Sequence, residues 1–270
     1  MQPTEMEEYL FDLQGYIVLK NTIDPNHLNE INTIIDTYYD LEPGAWKGWV
    51  NRAKSERVRH LHNIFEMGEP FERLIDNPNW INHMHRFVGS GGLFIDESFI
   101  DIRSQGAGTR IHSGAHKRRW RTQFRYHNDQ FRCGQINILL ALNDIGPGDG
   151  ATMAVPGSHK SNIIHPAFND PEGSGSNKSL DNVEAAVEIQ LKAGDAIFFV
   201  DCMAHGSAQR VNSGERRIAI IRYGPQEGHD RYGYMPSPEL INRLTPKRRK
   251  IVLPYPPKLP PGVDMVRYGA

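Results

Sequence analysis

From about residue 93 onward, turn-forming residues divide the chain into short β-type runs. The runs include LFIDESFIDIR, GQINILLAL, ATMAVPG, VEIQL, AIFFVD and ERRIAIIRYG. Clusters such as GPGDG, PGSHKSN, KAGD and VNSGE stand between them. Many short strands separated by turn signals predict an all-β barrel or jelly roll, because each strand must bury one face against another layer.

The residues before 93 predict helices that pack on this β core. A helix is expected over residues 24–38, with Asp24 as its cap and Pro25 in its first turn. The stretch PFERLIDNPNWINHMHRFVG predicts two further short helices, and QGYIVLK predicts a strand. We therefore expect one mostly β domain over residues 1–270. It would have a helical N-terminal part (1–92), a jelly-roll core (93–225) and a C-terminal extension (226–270).

The overall composition argues against several classes of protein. The 270 residues carry a formal net charge of −1, which does not indicate a nucleic-acid partner. Two cysteines do not form a disulfide framework. The first residues lack the basic start and apolar run of a signal peptide, and no stretch approaches the ~20 apolar residues of a membrane helix. A cytoplasmic protein without a membrane partner is the expectation.

A candidate metal site lies in the segment FRYHNDQF, where His127 and Asp129 are two residues apart. If this segment is a strand, residues i and i+2 point to the same face, so the imidazole and the carboxylate project together. A third candidate ligand, His205, follows an apolar strand-like run. Two histidines and one carboxylate form the facial triad of non-haem iron(II) oxygenases, which leaves coordination positions open.

Other histidine pairs in the chain are weaker candidates. His60 and His62 are also two residues apart, and so are His83 and His85. The second pair lies in a helical pattern, where i and i+2 do not share a face. Cys202 and His205 form a C-x-x-H that no second Cys/His pair completes as a zinc site.

A candidate anion site follows His205. A hairpin signal at residues 212–214 precedes a strand that begins with two arginines. Alternation places Arg216 with Ile218 and Ile220 on one face and Arg217 on the other. A buried arginine beside a metal requires an anionic partner, because an unpaired buried charge is costly. A dicarboxylate cosubstrate would chelate the metal at one end and bind Arg216 at the other.

These motifs resemble the phytanoyl-CoA dioxygenase family of iron(II)- and 2-oxoglutarate-dependent oxygenases. The resemblance extends from FDLQGYIVLKNTIDPNHLNEINTIID through YHNDQ and LLALNDIGPGDGATMAVPGSHK to HGS and Arg216. It implies a double-stranded β-helix of jelly-roll, cupin-like type with helices outside. It also implies that His127, Asp129 and His205 bind Fe(II), and that Arg216, assisted by Ser207, binds the distal carboxylate of 2-oxoglutarate.

The chain departs from the family at one position. Many relatives have a tryptophan near the start of the LLALND strand, where this chain has Leu139 or Leu140. Asn137 is a candidate for a hydrogen bond to the cosubstrate instead, and an asparagine that faces the strand ladder is the alternative. Halogenating relatives replace the carboxylate ligand with a small residue, so Asp129 favours hydroxylation.

The expected reaction is hydroxylation of an unactivated C–H bond of a small molecule by dioxygen, with release of succinate and carbon dioxide. The basic loop at residues 116–125 would hold an anionic substrate, or it is a solvated surface loop. Two other functions fit the metal ligands: a cupin-like metal-dependent hydrolase or isomerase without 2-oxoglutarate, and a non-catalytic binding barrel.

Overall fold

The computed structural model describes residues 2–55, 58–89, 91–113, 122–169, 183–226 and 236–253. The helices are α1 (Glu5–Gln14), α2 (Pro25–Asp36), α3 (Glu69–Glu72), α4 (Ile81–Val88), α5 (Pro238–Arg243) and α6 (Pro246–Val252). The strands are β1 (Tyr16–Leu19), β2 (Trp46–Lys47), β3 (Val50–Arg52), β4 (Arg59–His62), β5 (Leu93–Ser104), β6 (Thr109–His112), β7 (Tyr126–His127), β8 (Gln130–Phe131), β9 (Ile136–Ala141), β10 (Thr152–Ala154), β11 (Val187–Ile189), β12 (Ala196–Val200), β13 (His205–Ser207) and β14 (Glu215–Pro225).

Antiparallel sheets form the core. The main sheet has the order β1-β12-β9-β14-β5-β4-β3-β2, and a smaller sheet has the order β11-β10-β13-β6. The strands β7 and β8 form a separate hairpin. Side chains bridge the two sheets, since Arg103 of β5 donates a hydrogen bond to Ser207 of β13. The predicted jelly-roll core with flanking helices is confirmed.

Alternation along the long central strands gives the main sheet two different faces. On β5 and β14, the registers pair Arg103 with Arg216 and Asp101 with Ile218, so these side chains share the inner face. The outer face is apolar and lies under the helices. There Trp80 donates a hydrogen bond to Tyr223, whose hydroxyl donates to the carbonyl of Ile75 at 2.9 Å. Charged side chains on the inner face of a buried sheet mark the interior of the barrel as the functional region.

The N-terminal part supplies strands as well as the predicted helices. The expected strand at QGYIVLK is β1, which pairs with β12 at one edge of the main sheet. The strands β2, β3 and β4 extend the same sheet beyond β5. The expected helix α2 begins after Asp24, which accepts hydrogen bonds from the amides of Asn26 and His27. The single-domain boundaries stay a prediction.

Parts of the expected architecture lie outside the described residues. These are most of the basic loop, including Lys117, Arg118, Arg119, Trp120 and Arg121, and residues 227–235 and 254–270 of the C-terminal extension. Among the helices that the structure describes, none is long and apolar enough to cross a membrane.

A glycine joins α1 to β1 at a point of close approach. Gly15 has a φ of 86°, and a Cβ added there would lie 2.5 Å from the Nδ1 of His159. The ring of His159 is fixed from its other side, because its Nε2 lies 3.0 Å from the carbonyl oxygen of Asp12. Neither the backbone conformation nor the space suits a larger residue.

We predict that Gly15→Ala destabilises the fold by two separable effects. The left-handed backbone costs an L-residue about 1–2 kcal/mol, and the collision with His159 adds about 1–3 kcal/mol. Gly106→Ala is the matched control, because Gly106 has a φ of 88° with no atom within 4 Å of the added Cβ. Urea unfolding measures both variants. Equal losses of stability in the two variants would show that the ring of His159 moves aside at no cost in the free energy of folding.

Candidate active site

Two histidines from neighbouring strands of the smaller sheet meet in the barrel. His205 begins β13, and His112 is its Cα partner at the end of β6. The centroids of the two rings are 4.1 Å apart, and Phe199 of β12 lies 4.5 Å from the ring of His205. His205 is buried and His112 is half-buried. The strand pairing therefore places two imidazoles side by side against an apolar wall.

Backbone hydrogen bonds fix the tautomer of both rings. The Nδ1 of His205 lies 2.7 Å from the carbonyl oxygen of Met203, and the Nδ1 of His112 lies 3.0 Å from that of Arg110. A carbonyl can only accept, so each Nδ1 carries a hydrogen. In the neutral ring the lone pair is then on Nε2, which is the form that binds a divalent metal.

Burial lowers the pKa of both histidines. The neighbouring ring of His112 lowers the pKa of His205 further. The carboxylate of Asp201 acts in the opposite sense on both rings. Desolvation is the larger effect, so both histidines are neutral at physiological pH. Neutral imidazole is required of a metal ligand.

Asn137 is part of the polar support around Asp201. Its Nδ2 donates to the Oδ1 of Asp201 at 2.9 Å, and its own Oδ1 accepts from Gln135 at 3.0 Å. Gln135 also donates to the same oxygen of Asp201 at 3.1 Å. Asn137 lies on the inner face of β9, where it pairs with Arg222 of β14. Its side chain is thus already hydrogen-bonded within the protein, and a contact with cosubstrate stays a prediction.

The prediction of one continuous strand through His127 and Asp129 is wrong. β7 ends at His127 and β8 begins at Gln130, so the motif forms the turn of a hairpin. Asn128 and Asp129 have φ values of 50° and 57°, the left-handed backbone of a two-residue turn. An H-N-D sequence fits such a turn as well as a strand, because Asn and Asp tolerate this conformation.

The structure does not bring the three predicted metal ligands together. His127 and Asp129 are exposed, whereas His205 is buried beside His112. Across the described parts of the chain, no group of three or more His, Cys, Asp or Glu side chains is placed to hold a metal ion. His205 and His112 are two adjacent imidazoles that could bind a metal, and the triad with His127 and Asp129 stays a prediction.

A buried carboxylate between two arginines forms the second part of the site. Arg103 donates to Asp101 from Nε and Nη2, each at 2.8 Å, and Arg216 donates from Nη2 at 3.1 Å. Asp101 and Arg216 are each only 2% exposed. Burial alone would raise the pKa of Asp101, but the two guanidinium groups hold it well below its usual range. Asp101 is therefore ionised.

This cluster has one excess positive charge, since two guanidinium groups share one carboxylate. Burial lowers the pKa of Arg216 only to about 10, so it remains charged. Its Nη1 donates to the carbonyl of Gly150, and its buried Nε has no hydrogen-bond partner among the residues that the structure describes. An unpaired buried donor next to an uncompensated charge indicates an anion site.

Ser207 lies at the edge of the cluster, and its role in assisting Arg216 stays a prediction. Its Oγ accepts hydrogen bonds from Arg103 at 2.7 Å and from the amide of Thr109 at 3.0 Å. Arg217 points to the other face, where it forms ion pairs with Asp36 at 2.7 Å and Glu215 at 2.6 Å. The predicted division of the two arginines between opposite faces is confirmed.

Sequence reasoning missed Arg103, Asp101 and His112. Alternation in DESFIDIR was a usable signal, because Asp101 and Arg103 are charged residues two apart within an apolar strand. His60 of β4 also approaches this cluster, with its Nε2 3.9 Å from Asp101, and burial lowers its pKa to about 4. No local pattern distinguishes His112, since its partner is separated from it by more than 90 residues of sequence.

A family model described as phytanoyl-CoA dioxygenase (PhyH) matches residues 11–218, which is more than half of the chain. The chain belongs to the phytanoyl-CoA dioxygenase family. Within it, the chain is 25% identical over 216 residues to the dioxygenase cdmD of Talaromyces verruculosus, covering 74% of this chain and 63% of that protein. It is 22% identical over 250 residues to the iron/alpha-ketoglutarate-dependent dioxygenase penM of Penicillium thymicola, covering 88% and 74%.

The fold is shared with solved structures. The structure superimposes on HygX from Streptomyces hygroscopicus, solved with nickel and 2-oxoglutarate bound, with a TM-score of 0.70. The match covers 83% of this chain and 88% of HygX, at 20% sequence identity. At this identity the likeness demonstrates the shared fold.

We predict that Asp101→Asn destabilises this phytanoyl-CoA dioxygenase family member by about 3–5 kcal/mol at pH 7, because two buried arginines lose their only shared carboxylate. The folded-state pKa of Asp101 is lowered, so the stabilisation is complete above about pH 4 and is lost as the pH falls through the folded value. The difference between wild type and variant should therefore shrink below pH 4.

Urea unfolding at pH 7 and pH 3 measures this effect. Glu30→Gln is the control, because Glu30 forms an ion pair with Arg73 on the surface, where such a pair contributes about 0–1 kcal/mol. A pH-independent loss in Asp101→Asn would show that the charge of the carboxylate is not what stabilises the cluster.

Proposed function

We propose that this protein is an Fe(II)- and 2-oxoglutarate-dependent dioxygenase that hydroxylates an unactivated C–H bond of a small, anionic organic substrate. One observation carries the proposal. His205 and Ser207 are two residues apart on β13, about 7 Å along the strand, and both face the barrel interior. His205 is the proposed metal ligand, with its Nδ1 already hydrogen-bonded to Met203, and Ser207 bonds to the cationic cluster.

This spacing suits a short dicarboxylate. One end of 2-oxoglutarate can reach a metal at His205 while the distal carboxylate binds Arg216, whose Nε lacks a partner in the described parts of the chain. Ser207 contributes its hydroxyl hydrogen, because its oxygen already accepts from Arg103 and Thr109. The excess positive charge has a stated partner in the distal carboxylate of 2-oxoglutarate, whereas a hydrolase without this cosubstrate leaves it unexplained, so the cluster favours the oxygenase.

Iron bound with 2-oxoglutarate and dioxygen would supply the oxidising power, with succinate and carbon dioxide as products. The protein's residues would hold and shield that centre. His205 would bind the metal through Nε2, because its Nδ1 donates its hydrogen to the carbonyl of Met203. Phe199 and the inner-face residues Leu139 and Ile220 surround the site with buried apolar surface, which keeps water from the reacting groups.

The sequence-based ligand set of His127, Asp129 and His205 stays a prediction. It requires the exposed hairpin to change position so that His127 and Asp129 reach His205. His112 already contacts His205 without any change.

The proposed substrate class rests on the size of one cleft and on the basic loop at residues 116–125. A cleft of about 980 Å³ is lined by Ser113 and Ala204, the residues that follow His112 and precede His205. This volume is in the range of small-molecule sites. Of the basic loop, Arg125 is described, and its Nε donates to the carbonyl of Arg132 at 3.0 Å.

An anaerobic titration tests the proposed reaction. The apoprotein is loaded with Fe(II) and then with 2-oxoglutarate, and visible absorption is followed before air is admitted and succinate is counted. We expect a weak charge-transfer band and succinate formation. Bound metal without a band or succinate would favour the hydrolase or the binding barrel.

We predict that Arg216→Lys weakens 2-oxoglutarate binding by about 10–100-fold, because an ammonium group cannot reproduce the planar pair of hydrogen bonds that a guanidinium group makes to a carboxylate. Arg217→Lys is the matched control, since Arg217 points to the outer face. The dependence of succinate formation on 2-oxoglutarate concentration measures both variants, with thermal melting to verify folding. Equal effects in the two variants would contradict the assignment of Arg216.

A further inference from the structure

We infer that His112, rather than His127, is the imidazole that binds the metal together with His205. The inference rests on the proposed function and specifies the ligands of that same centre. In this arrangement the metal site lies where β6 pairs with β13, and the H-x-D hairpin is not part of it.

The first argument is strand register. His112 and His205 are opposite each other in the antiparallel pair of β6 and β13, which brings their Cβ atoms to about 4.5–5.5 Å. A register shift between His205 and Ser207 gives β6 an extra residue, so that Thr109 stays opposite Ser207. The same pair of strands thus positions two imidazoles at one end and the anchor for the cationic cluster at the other.

The second argument is the direction of the lone pairs. Both rings donate from Nδ1 to a carbonyl two residues earlier in their own strand segment, Arg110 for His112 and Met203 for His205. Two adjacent neutral rings with their lone pairs on Nε2 are prepared for a shared cation. The ring centroids are 4.1 Å apart, so a small movement of either ring suffices to share a metal.

The third argument is the position of the H-x-D hairpin, which is anchored elsewhere. Phe131 packs its ring 5.2 Å from that of Phe87 in α4 and 5.7 Å from that of Phe11 in α1. Next to it, the amide of Cys133 donates to the carbonyl of Phe87 at 3.0 Å. His127 and Asp129 lie at the exposed turn of this hairpin. The hairpin thus belongs to the helical layer, and its turn faces solvent.

The inference changes the composition of the metal centre. Two residues beyond His112 the sequence has Gly114, which has no side chain to offer as a ligand. Counted over the residues that the structure describes, the centre then has two protein ligands and leaves one more coordination position to cosubstrate, substrate or solvent than the triad does. Asp201, hydrogen-bonded by Asn137 and Gln135, contributes its negative charge from nearby.

Metal affinity distinguishes the two ligand sets without relying on turnover. The full-length apoprotein is titrated with Co(II) anaerobically, and the affinity is read from visible absorption. We expect His112→Ala and His205→Ala each to lose more than about 100-fold in affinity, since even residues behind the ligands commonly cost 10–100-fold. His127→Ala and Asp129→Asn should bind Co(II) as the wild type does. A loss in His127→Ala equal to that in His112→Ala overturns the inference.

Two further measurements address folding and ligand identity. In His112→Gly, added imidazole should restore Co(II) binding, which a purely structural role of His112 would not allow.

With Cu(II) as the probe, electron paramagnetic resonance should count two coupled imidazoles in the wild type and one in His112→Ala. Two coupled imidazoles in His112→Ala would also overturn the inference. His85→Ala, at an exposed position of α4, controls for the loss of a histidine.

The outcomes also separate this inference from the proposed function. If His205→Ala retains Co(II) affinity, the metal centre itself is misplaced and the proposed function fails. If His205→Ala loses affinity while His112→Ala retains it, only the assignment of His112 fails.

Discussion

The carboxylate of Asp101, held between Arg103 and Arg216, is the interaction on which the interior of this barrel depends. It lies on β5 and is reached from β14, the two long central strands of the main sheet. Arg103 extends the network across the barrel to Ser207 of the smaller sheet. A single ionised group therefore connects both sheets. Because two cations share it, the same network that stabilises the fold retains a positive charge for an anionic ligand.

His205, one of the histidine pair, lies at the other end of β13 from Ser207. Ser207 and His205 are both on β13, so one element fixes the position of the proposed anion anchor and that of the proposed metal ligand. Apolar side chains such as Phe199 keep the rings neutral by desolvation, and backbone carbonyls choose their tautomer. The same buried polar groups have two roles: their paired atoms stabilise the fold, and an atom left unpaired among the described residues, such as the Nε of Arg216, is available to a ligand.

The H-x-D motif illustrates how a local pattern can be assigned to the wrong element. Two residues flanked by strand-like sequence can lie within one strand or form the turn between two strands. Asn128 and Asp129 tolerate the left-handed backbone, so they permit the turn. Packing decides the matter, because Phe131 is buried against Phe87 and Phe11 and thereby fixes the hairpin on the helices. That contact joins residues that are distant in sequence, so no local sequence pattern predicts it.

The sequence by itself determined the class of fold, the helix capped by Asp24, and the opposite directions of Arg216 and Arg217. Each of these follows from local periodicity and capping chemistry, which neighbouring residues specify. It also determined the membership of the phytanoyl-CoA dioxygenase family, since the motifs span most of the chain. Only the tertiary structure decided that His112 faces His205 and that Asp101 joins Arg103 to Arg216. Those contacts depend on the register between strands that are far apart in sequence, and register is set by the packing of the whole barrel.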